Sequence, residues 1–419
     1  MSEKSYSPEA VVSFYDQPQV KVEIIPIGDG VPIGIEKVFH PEIGIGGAYG
    51  TWGPGFDNKA LTEVMKQHFG DSFTDEDAMD LSQLGFVNRH HAPQLTPEEH
   101  LELEVEVGAR FLRAAAAANG WKPEEVEGVL IGMTLPVADD YTVRIARAAG
   151  IPDRAIKVSI HKACDGSMGA LHLLLNSELP ENQKMSHNLA QELAGKKVLV
   201  GGIEGLSRYV QSSFDKSALQ LFGNGVGIIG VIPGQNMKFL VGESHEVFDE
   251  KGVLEVSMYY PHSRQRVAGQ SLIEVTQAGE NHFRVAGMMH EPGDGTPVVM
   301  AGPMGMVKLF VRTGVKVVRR VYNRYQSMMD EMGSPKEISF AIVHHANLKI
   351  NRLKAKRLEN IGIHLPMPWV VSEFGNVSAA SNMIAFLRKL PGIKPGEHIL
   401  FDGFGAGTYY DAFAVSLGE

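Results

Sequence analysis

The sequence predicts an α/β protein whose core is built twice. Short apolar, β-rich runs alternate with longer helical patterns, the arrangement of buried strands covered by helices. Two long stretches also share one pattern: "VEGVLIGMTLP" precedes "IKVSIHKACDGSMGAL" at about the spacing at which "ISFAIVHHAN" precedes "WVVSEFGNVSAASNMIAF". Each then runs to a strand that ends in glycines, "VLVGGIEG" and "ILFDGFGAG". If the repeat is a duplication, corresponding strand ends meet near a pseudo-twofold axis, and residues of both halves face one site.

Taken in order, residues 1–38 lie outside the repeat as an N-terminal extension. The first half, 39–238, reads as strands near "GIGGAYG", "EGVLIGMTL", "AIKVSI", "KKVLVGGIE" and "GVGIIGVI". Between them "PEEHLELEVEVGARFLRAAAAANG" is an amphipathic helix stopped by Asn119-Gly120. The stretch at about 176–196 reads as an amphipathic helical insertion. The second half, 239–419, reads as strands at "KFLVGESHEV", "EISFAIVHHAN", "PWVVSEFGN", "EHILFDGFG" and "YYDAFAVSL". Its insertion at about 245–300 holds the turn-rich "AGENHF" and "HEPGDGTP", which read as loops or a hairpin.

The totals remove several function classes. The 419 residues include one cysteine, so neither an internal disulfide nor a multi-cysteine zinc site is possible. "MSEKSYSPEAVVSFYDQPQV" lacks the apolar core of a signal peptide, and no run approaches the roughly 18 apolar residues of a membrane helix. The cytoplasm is the expected location, with no membrane partner. A net charge of −10 argues against nucleic acid, whose binding depends on neutralising phosphates. Two stretches are nevertheless basic, "KLFVRTGVKVVRRVYNRY" and "HHANLKINRLKAKRLENIGI". They read as solvated helix faces or as a docking patch for an acidic or phosphate-bearing partner.

The one cysteine, Cys164, follows the strand "AIKVSI" and precedes Gly166, Ser167, Gly169 and Ala170. That pattern puts a nucleophile at a strand-to-helix turn, where the helix dipole and free N–H groups stabilise a thiolate. A buried small hydrophobe is the alternative. Asp165 argues against a reactive thiol if its carboxylate points at the sulfur. A cysteine nucleophile needs proton handling and oxyanion support. His344 and His345 end one strand, and Asn376 follows Gly375 after another. Asn376 also reads as a helix N-cap. The glycine-rich "DGFGAGTYYDA" offers backbone N–H groups for an oxyanion, or is a tight turn.

In this order the motifs "KACDGSMGALHLLL", "VLVGGIEGLSRYVQSSFDKSALQLFGNGVGIIGV", "VHHANLKINRLKAKRLENIGI" and "GNVSAASNMIAFLRKL…ILFDGFGAGTYYDAF" resemble the thiolase superfamily. The resemblance is strongest to β-ketoacyl-acyl-carrier-protein synthase III, and it covers most of the chain. It implies a thiolase-like duplicated five-layer αβαβα sandwich, a homodimer, and no cofactor or metal beyond thioester substrates of coenzyme A or acyl carrier protein. It implies that Cys164 is the acylated nucleophile and that His344 and Asn376 bind the thioester carbonyl of a malonyl-type substrate. His345 stands where the family has glutamine. Backbone N–H groups of Cys164 and Ala406 would form the oxyanion hole, and Lys349, Lys356 and Arg357 would dock the acyl carrier protein.

The sequence also departs from that family. Met79 and Gln83 stand near the places of a Trp and an Arg that hold the adenine of coenzyme A, and Asp165 replaces a small neutral residue. The family's Pro-Ser segment near the acyl pocket is replaced by "PVADDYTVRIA". The expected reaction is decarboxylating condensation to a β-ketoacyl product. The alternatives are transfer of the acyl group to an oxygen or nitrogen acceptor, a cysteine hydrolase with the order Cys, His, Asn, and a non-catalytic partner subunit.

Overall fold

The computed structural model describes residues 21–418 except 135–137, 180–184, 186, 213–215, 247–257, 260–274, 286–287, 290–302, 334 and 406–408. Strands β1 (Lys21–Ile25) and β2 (Val31–His40) lead into the fully buried β3 (Ile45–Trp52). A small sheet of β4 (Gly55–Asp57) and β5 (Asn88–His90) follows, then β6 (Gly128–Gly132), β7 (Ile156–Ile160), β8 (Val198–Glu204) and β9 (Gly225–Val231). Later come β10 (Met237–Glu246), β11 (Met258–Tyr259), β12 (Val275–Gly279), β13 (His282–Val285) and β14 (Met288–Met289). The chain closes with β15 (Ile338–Val343), β16 (His398–Gly405) and β17 (Tyr409–Leu417).

The two main sheets repeat one topology. The larger runs β1-β2-β3-β9-β8-β6-β7-β13-β12 and the smaller β10-β17-β16-β15. Within them β3-β9-β8-β6 and β10-β17-β16-β15 have the same succession: two antiparallel pairings, then a parallel one. The apolar runs of β3, β8, β9, β16 and β17 are buried along their whole length, because helices cover both faces.

Helices α1 (Asn58–Phe69), α2 (Pro97–Ala118), α3 (Tyr141–Ala148) and α4 (Gly166–Leu175) belong to the first half. Helices α5 (Pro303–Glu331), α6 (Leu348–Glu359) and α7 (Ser381–Lys389) belong to the second. Helices α2 and α3 cover the outer face of the large sheet, and α5 with α6 the outer face of the small one. Between the sheets lie α4 and α7, each touching both. Five layers result, α-β-α-β-α. The middle helices are the most apolar: every α4 residue from Gly166 to Leu174 is buried, as a helix packed on two sides requires. Helix α2 begins with a capping box, Thr96 accepting from Glu99 N–H while the Glu99 carboxylate accepts from Thr96 N–H, and stops before Gly120 at φ 70°.

Several segments differ from the sequence expectation. "PWVVSEFGN" is not a strand. Pro366 and Pro368 have no N–H to give a ladder, so the segment follows β15 through a backbone bond from Ala341 N–H to Pro366 O (2.8 Å). The described part of the extension, residues 21–38, is also part of the sheet, since β1 pairs with β2 and β2 pairs with β3 from Ile33–Trp52 to His40–Ile45. The insertion at 245–300 belongs to the second half by chain order, but its hairpin β12–β13 docks on the first. Asn281 (φ 55°) turns the hairpin, and β13 runs parallel to β7. The free edge of β7 is covered by that hairpin. In the insertion at 176–196, the helix that can be followed among the described residues is Leu189–Glu192.

Candidate active site

The nucleophile turn is a close-packed joint. After β7 the chain passes Lys162 and enters a 3-10 turn, Ala163–Asp165, that opens α4. Ala163 has φ 49°, left-handed backbone for a residue with a side chain. The small residues around Cys164 are packing requirements. A Cβ on Gly132 would lie 2.1 Å from the Gly166 carbonyl carbon, and one on Gly166 would lie 2.9 Å from Gly132 Cα. Gly405, at the end of β16, comes so close that a Cβ would lie 3.0 Å from Cys164 N. The glycine-rich turn therefore packs against the nucleophile's backbone; Ala406, expected with Cys164 to form the oxyanion hole, lies outside the described residues.

Asn376 reaches the cysteine through its own loop. Its backbone is fixed on both sides, N–H to Leu221 O (2.8 Å) and O from Gly223 N–H (3.2 Å). Its Oδ1 accepts from Ser378 N–H (2.9 Å), a bond to the second residue on at the entry to a 3-10 turn (Ser378–Ala380) whose N-cap is Val377, so Asn376 is not the helix N-cap. Ser378, at φ 42°, directs its hydroxyl to Cys164 Sγ at 3.1 Å, joining the two halves of the chain. His344 stands behind that loop: Nδ1 is 2.7 Å from Ser381 Oγ, and its ring meets the edge of Phe404, the neighbour of Gly405, at 5.0 Å. Where Ser381 donates to Nδ1 rather than to Asn382 Oδ1, the ring proton resides on Nε2. Burial, with the charge of Lys354 adding to it, lowers the His344 pKa to about 3, so the ring is a neutral donor. His345 is buried and lowered likewise to about 3. Its ring lies tilted against Trp369, with centroids 4.6 Å apart, and accepts from Val370 N–H (3.4 Å), which makes it a buttress of the wall behind the site.

Asp165 does not oppose the thiol. Its side chain points towards Gly403, where a Cβ would meet Oδ1 at 2.0 Å, and towards Lys162, 3.7 Å from Oδ2. Burial, reinforced by the negative charge of Asp411, pushes its pKa far above the carboxylate range, so it is protonated. Burial alone would raise Asp411 too, but Lys162 and His172 hold it low and ionised. Lys162 forms a buried ion pair with Asp411, whose other oxygen lies 2.6 Å from His172 Nδ1. His172 Nε2 in turn is 3.1 Å from Asn176 Nδ2. A second buried pair, Lys354–Asp402, lies under His344, whose N–H donates to Asp402 O (2.9 Å). Sequence reasoning missed both pairs. The available signal was a charge inside an apolar element: Asp411 in "YYDAFAVSL", Asp402 in "ILFDGFG", Glu204 in "VLVGGIE".

Lys349, Lys356 and Arg357 are exposed on α6, one face of which they share with Arg352, while Leu348, Ile350 and Leu358 are buried on the other. Met79 is part-buried in a small apolar cluster and donates its N–H to Gln220 (2.9 Å); Gln83 is exposed. Among the described residues no three or more His, Cys, Asp or Glu side chains are grouped to hold a metal, and no helix is long and apolar enough to cross a membrane.

A family model described as "3-Oxoacyl-[acyl-carrier-protein (ACP)] synthase III C terminal" matches residues 329–417, the stretch that carries His344, Asn376 and Gly405. A protein of Halalkalibacterium halodurans named β-ketoacyl-[acyl-carrier-protein] synthase III 1 is 25% identical over 349 residues, 81% of this chain and 89% of that protein. The crystal structure of 3-oxoacyl-[acyl-carrier-protein] synthase III from Aquifex aeolicus superposes with a TM-score of 0.57 at 18% identity, covering 94% of this chain and all of that one. A type III pentaketide synthase from Neurospora crassa superposes with a TM-score of 0.58 at 16% identity, covering 92% and 99%. With the repeated sheet topology, these likenesses give the chain a thiolase-like fold and a divergent similarity to β-ketoacyl-acyl-carrier-protein synthase III.

Proposed function

We propose that the protein forms a carbon–carbon bond by decarboxylating condensation of two thioesters. Cys164 takes an acyl group from a coenzyme A or carrier-protein thioester and releases the donor thiol. A malonyl-type thioester then binds with its carbonyl oxygen at His344 Nε2 and Asn376 Nδ2. Loss of carbon dioxide leaves an enolate there, and its carbanion attacks the acyl-cysteine to give a β-ketoacyl product. Backbone N–H groups of Cys164 and Ala406 hold the tetrahedral oxyanion. Both stages put negative charge on oxygen, which fixed donors stabilise without reorganising. The observation that carries this reading is the bond from Ser378 to Cys164 Sγ, which brings the Asn376 loop of one half onto the nucleophile of the other. The neutral His344 supports it, because an uncharged donor suits a carbonyl in both its ground state and its enolate form.

In the same reading the exposed basic face of α6, with Lys349, Lys356 and Arg357, docks an acidic acyl carrier protein. The active unit is a homodimer, to be checked by light scattering. The reaction is tested by intact-protein mass after incubation with a panel of acyl-coenzyme A and acylated carrier-protein donors. An adduct that disappears in Cys164→Ala is expected; an adduct that persists there sinks the assignment. Asn376→Asp should slow condensation with a malonyl thioester far more than acylation of Cys164, and equal loss of both removes the role given to Asn376.

A further inference from the structure

Behind Cys164 a file of hydroxyls leads to a carboxyl group. Ser378 Oγ lies 3.1 Å from Sγ and 2.5 Å from Thr134 Oγ1, and Thr134 Oγ1 lies 2.7 Å from Glu204 Oε1. The same carboxylate oxygen accepts from Ala379 N–H (3.1 Å). Glu204, Thr134 and Ser378 are all buried. The spacing depends on glycine: a Cβ on Gly202 would lie 2.4 Å from Ala379 O, so only a bare backbone lets β8 come this near the Ser378 loop. Nothing in the condensing mechanism above uses Glu204.

We propose that Glu204 accepts the Cys164 thiol proton through Ser378 and Thr134 during acylation, and returns it when the β-ketoacyl product leaves. This rests on the condensing reading. With the Ser378 hydroxyl turned from Sγ to Thr134 Oγ1 and the thiol donating to Ser378 Oγ, the S–H proton passes to Ser378 Oγ as the Ser378 proton passes to Thr134 Oγ1 and the Thr134 proton to Glu204 Oε1. The sulfur pair forms the bond to the acyl carbon, and the donor thiolate departs and is protonated by solvent. When the carbanion later attacks and the tetrahedral intermediate collapses, the cysteine leaves as thiolate and the same three transfers run backwards. The enzyme ends as it began, with Glu204 ionised and Cys164 protonated.

The surroundings suit Glu204 to this exchange. Burial, opposed only in part by neutral donors and a more distant Arg208, pushes its pKa up to about 7. A base poised near neutrality is the favourable case for proton transfer. The charged and titratable groups about the file are Arg208, engaged by Glu104 at 3.0 Å, and Tyr141, which donates to Glu104. On the cysteine side stand the Lys162–Asp411 pair, protonated Asp165 and neutral His344.

The test is the single-turnover rate of Cys164 acylation, read by quenched intact-protein mass with acetyl- and octanoyl-coenzyme A across pH. In the wild type the rate should rise through neutrality as Glu204 ionises. Glu204→Gln should remove that rise and slow acylation at neutral pH by a factor on the order of a hundred, the lower range of a general base. Ser378→Ala cuts the file while leaving the Thr134 and Ala379 bonds to Glu204. It should cost the same factor, with no further loss in the double variant, and it stands in should the Gln variant fail to fold. A wild type that is acylated no faster than either variant, with the same pH profile, overturns the relay alone. A wild type that no donor acylates overturns the condensing reading and the relay with it.

Discussion

Two buried carboxylates flank the nucleophile turn, and they live in opposite electrostatic worlds. Glu204 ends a strand of the large sheet and is met by a threonine hydroxyl and a backbone N–H, both neutral. Asp411 lies on a strand of the small sheet and is met by the Lys162 ammonium and by His172. Burial penalises charge equally in both places. The charge of the nearest donor decides the outcome: Glu204 is raised to about 7, whereas Asp411 is held ionised. One side of Cys164 can therefore exchange a proton, while the other is an electrostatic clamp that ties Lys162, the residue before the turn, to the opposite sheet.

That contrast can be broken from the clamp side with the largest effect. Asp411→Ala removes the carboxylate that neutralises the buried Lys162 ammonium and should cost about 3–5 kcal/mol in urea unfolding, less to the extent that Asp165, relieved of the Asp411 charge, ionises beside Lys162. The double change Lys162→Met with Asp411→Leu should recover much of this, and failure to recover would mean that the pair is needed for packing rather than for charge balance.

On the other side the effect should depend on pH. The folded protein holds a proton on Glu204 up to about pH 7, against 4.5 when unfolded, so the folded state binds more protons between these values. Stability from this group is full below about 4.5 and declines as pH rises through 7. The loss is on the order of 3 kcal/mol. Glu204→Gln should flatten that part of the stability curve. A variant that keeps the wild-type slope would show the carboxyl to be ionised throughout.

The smallest effect sharpens the comparison. Asp165→Asn replaces a protonated carboxyl by an amide of the same shape and should change stability by less than about 1 kcal/mol. A cost like that of Asp411→Ala would mean that Asp165 carries the charge instead.

Much of the fold was legible because it follows from local patterns. The apolar runs marked most strands, Asn119-Gly120 marked the end of α2, and the repeat of two runs pointed to the repeated sheet. "PWVVSEFGN" misled because its β-rich apolar run is intact while Pro366 and Pro368 remove the donors a strand needs. The hairpin Val275–Val285 misled because chain order says nothing of which sheet edge is open. Cys164 and His344 could be picked out because each closely follows a strand, and Asn376 because it follows Gly375, whose φ is 70°. Ser378, Thr134 and Glu204 could not, since a serine, a threonine and a glutamate far apart in sequence carry no mutual spacing.

The sequence by itself determined the alternation of strands and helices, the doubled core and the identity of the single thiol, because hydrophobic period and turn chemistry act within a few residues. Only the tertiary structure decided which charges are neutralised and which hydroxyls line up behind the sulfur. Protonation of a buried group is set by burial and by the partner that arrives from another element. Lys162 meets Asp411, and Ser378 meets Cys164, only when the two sheets close on the helices between them.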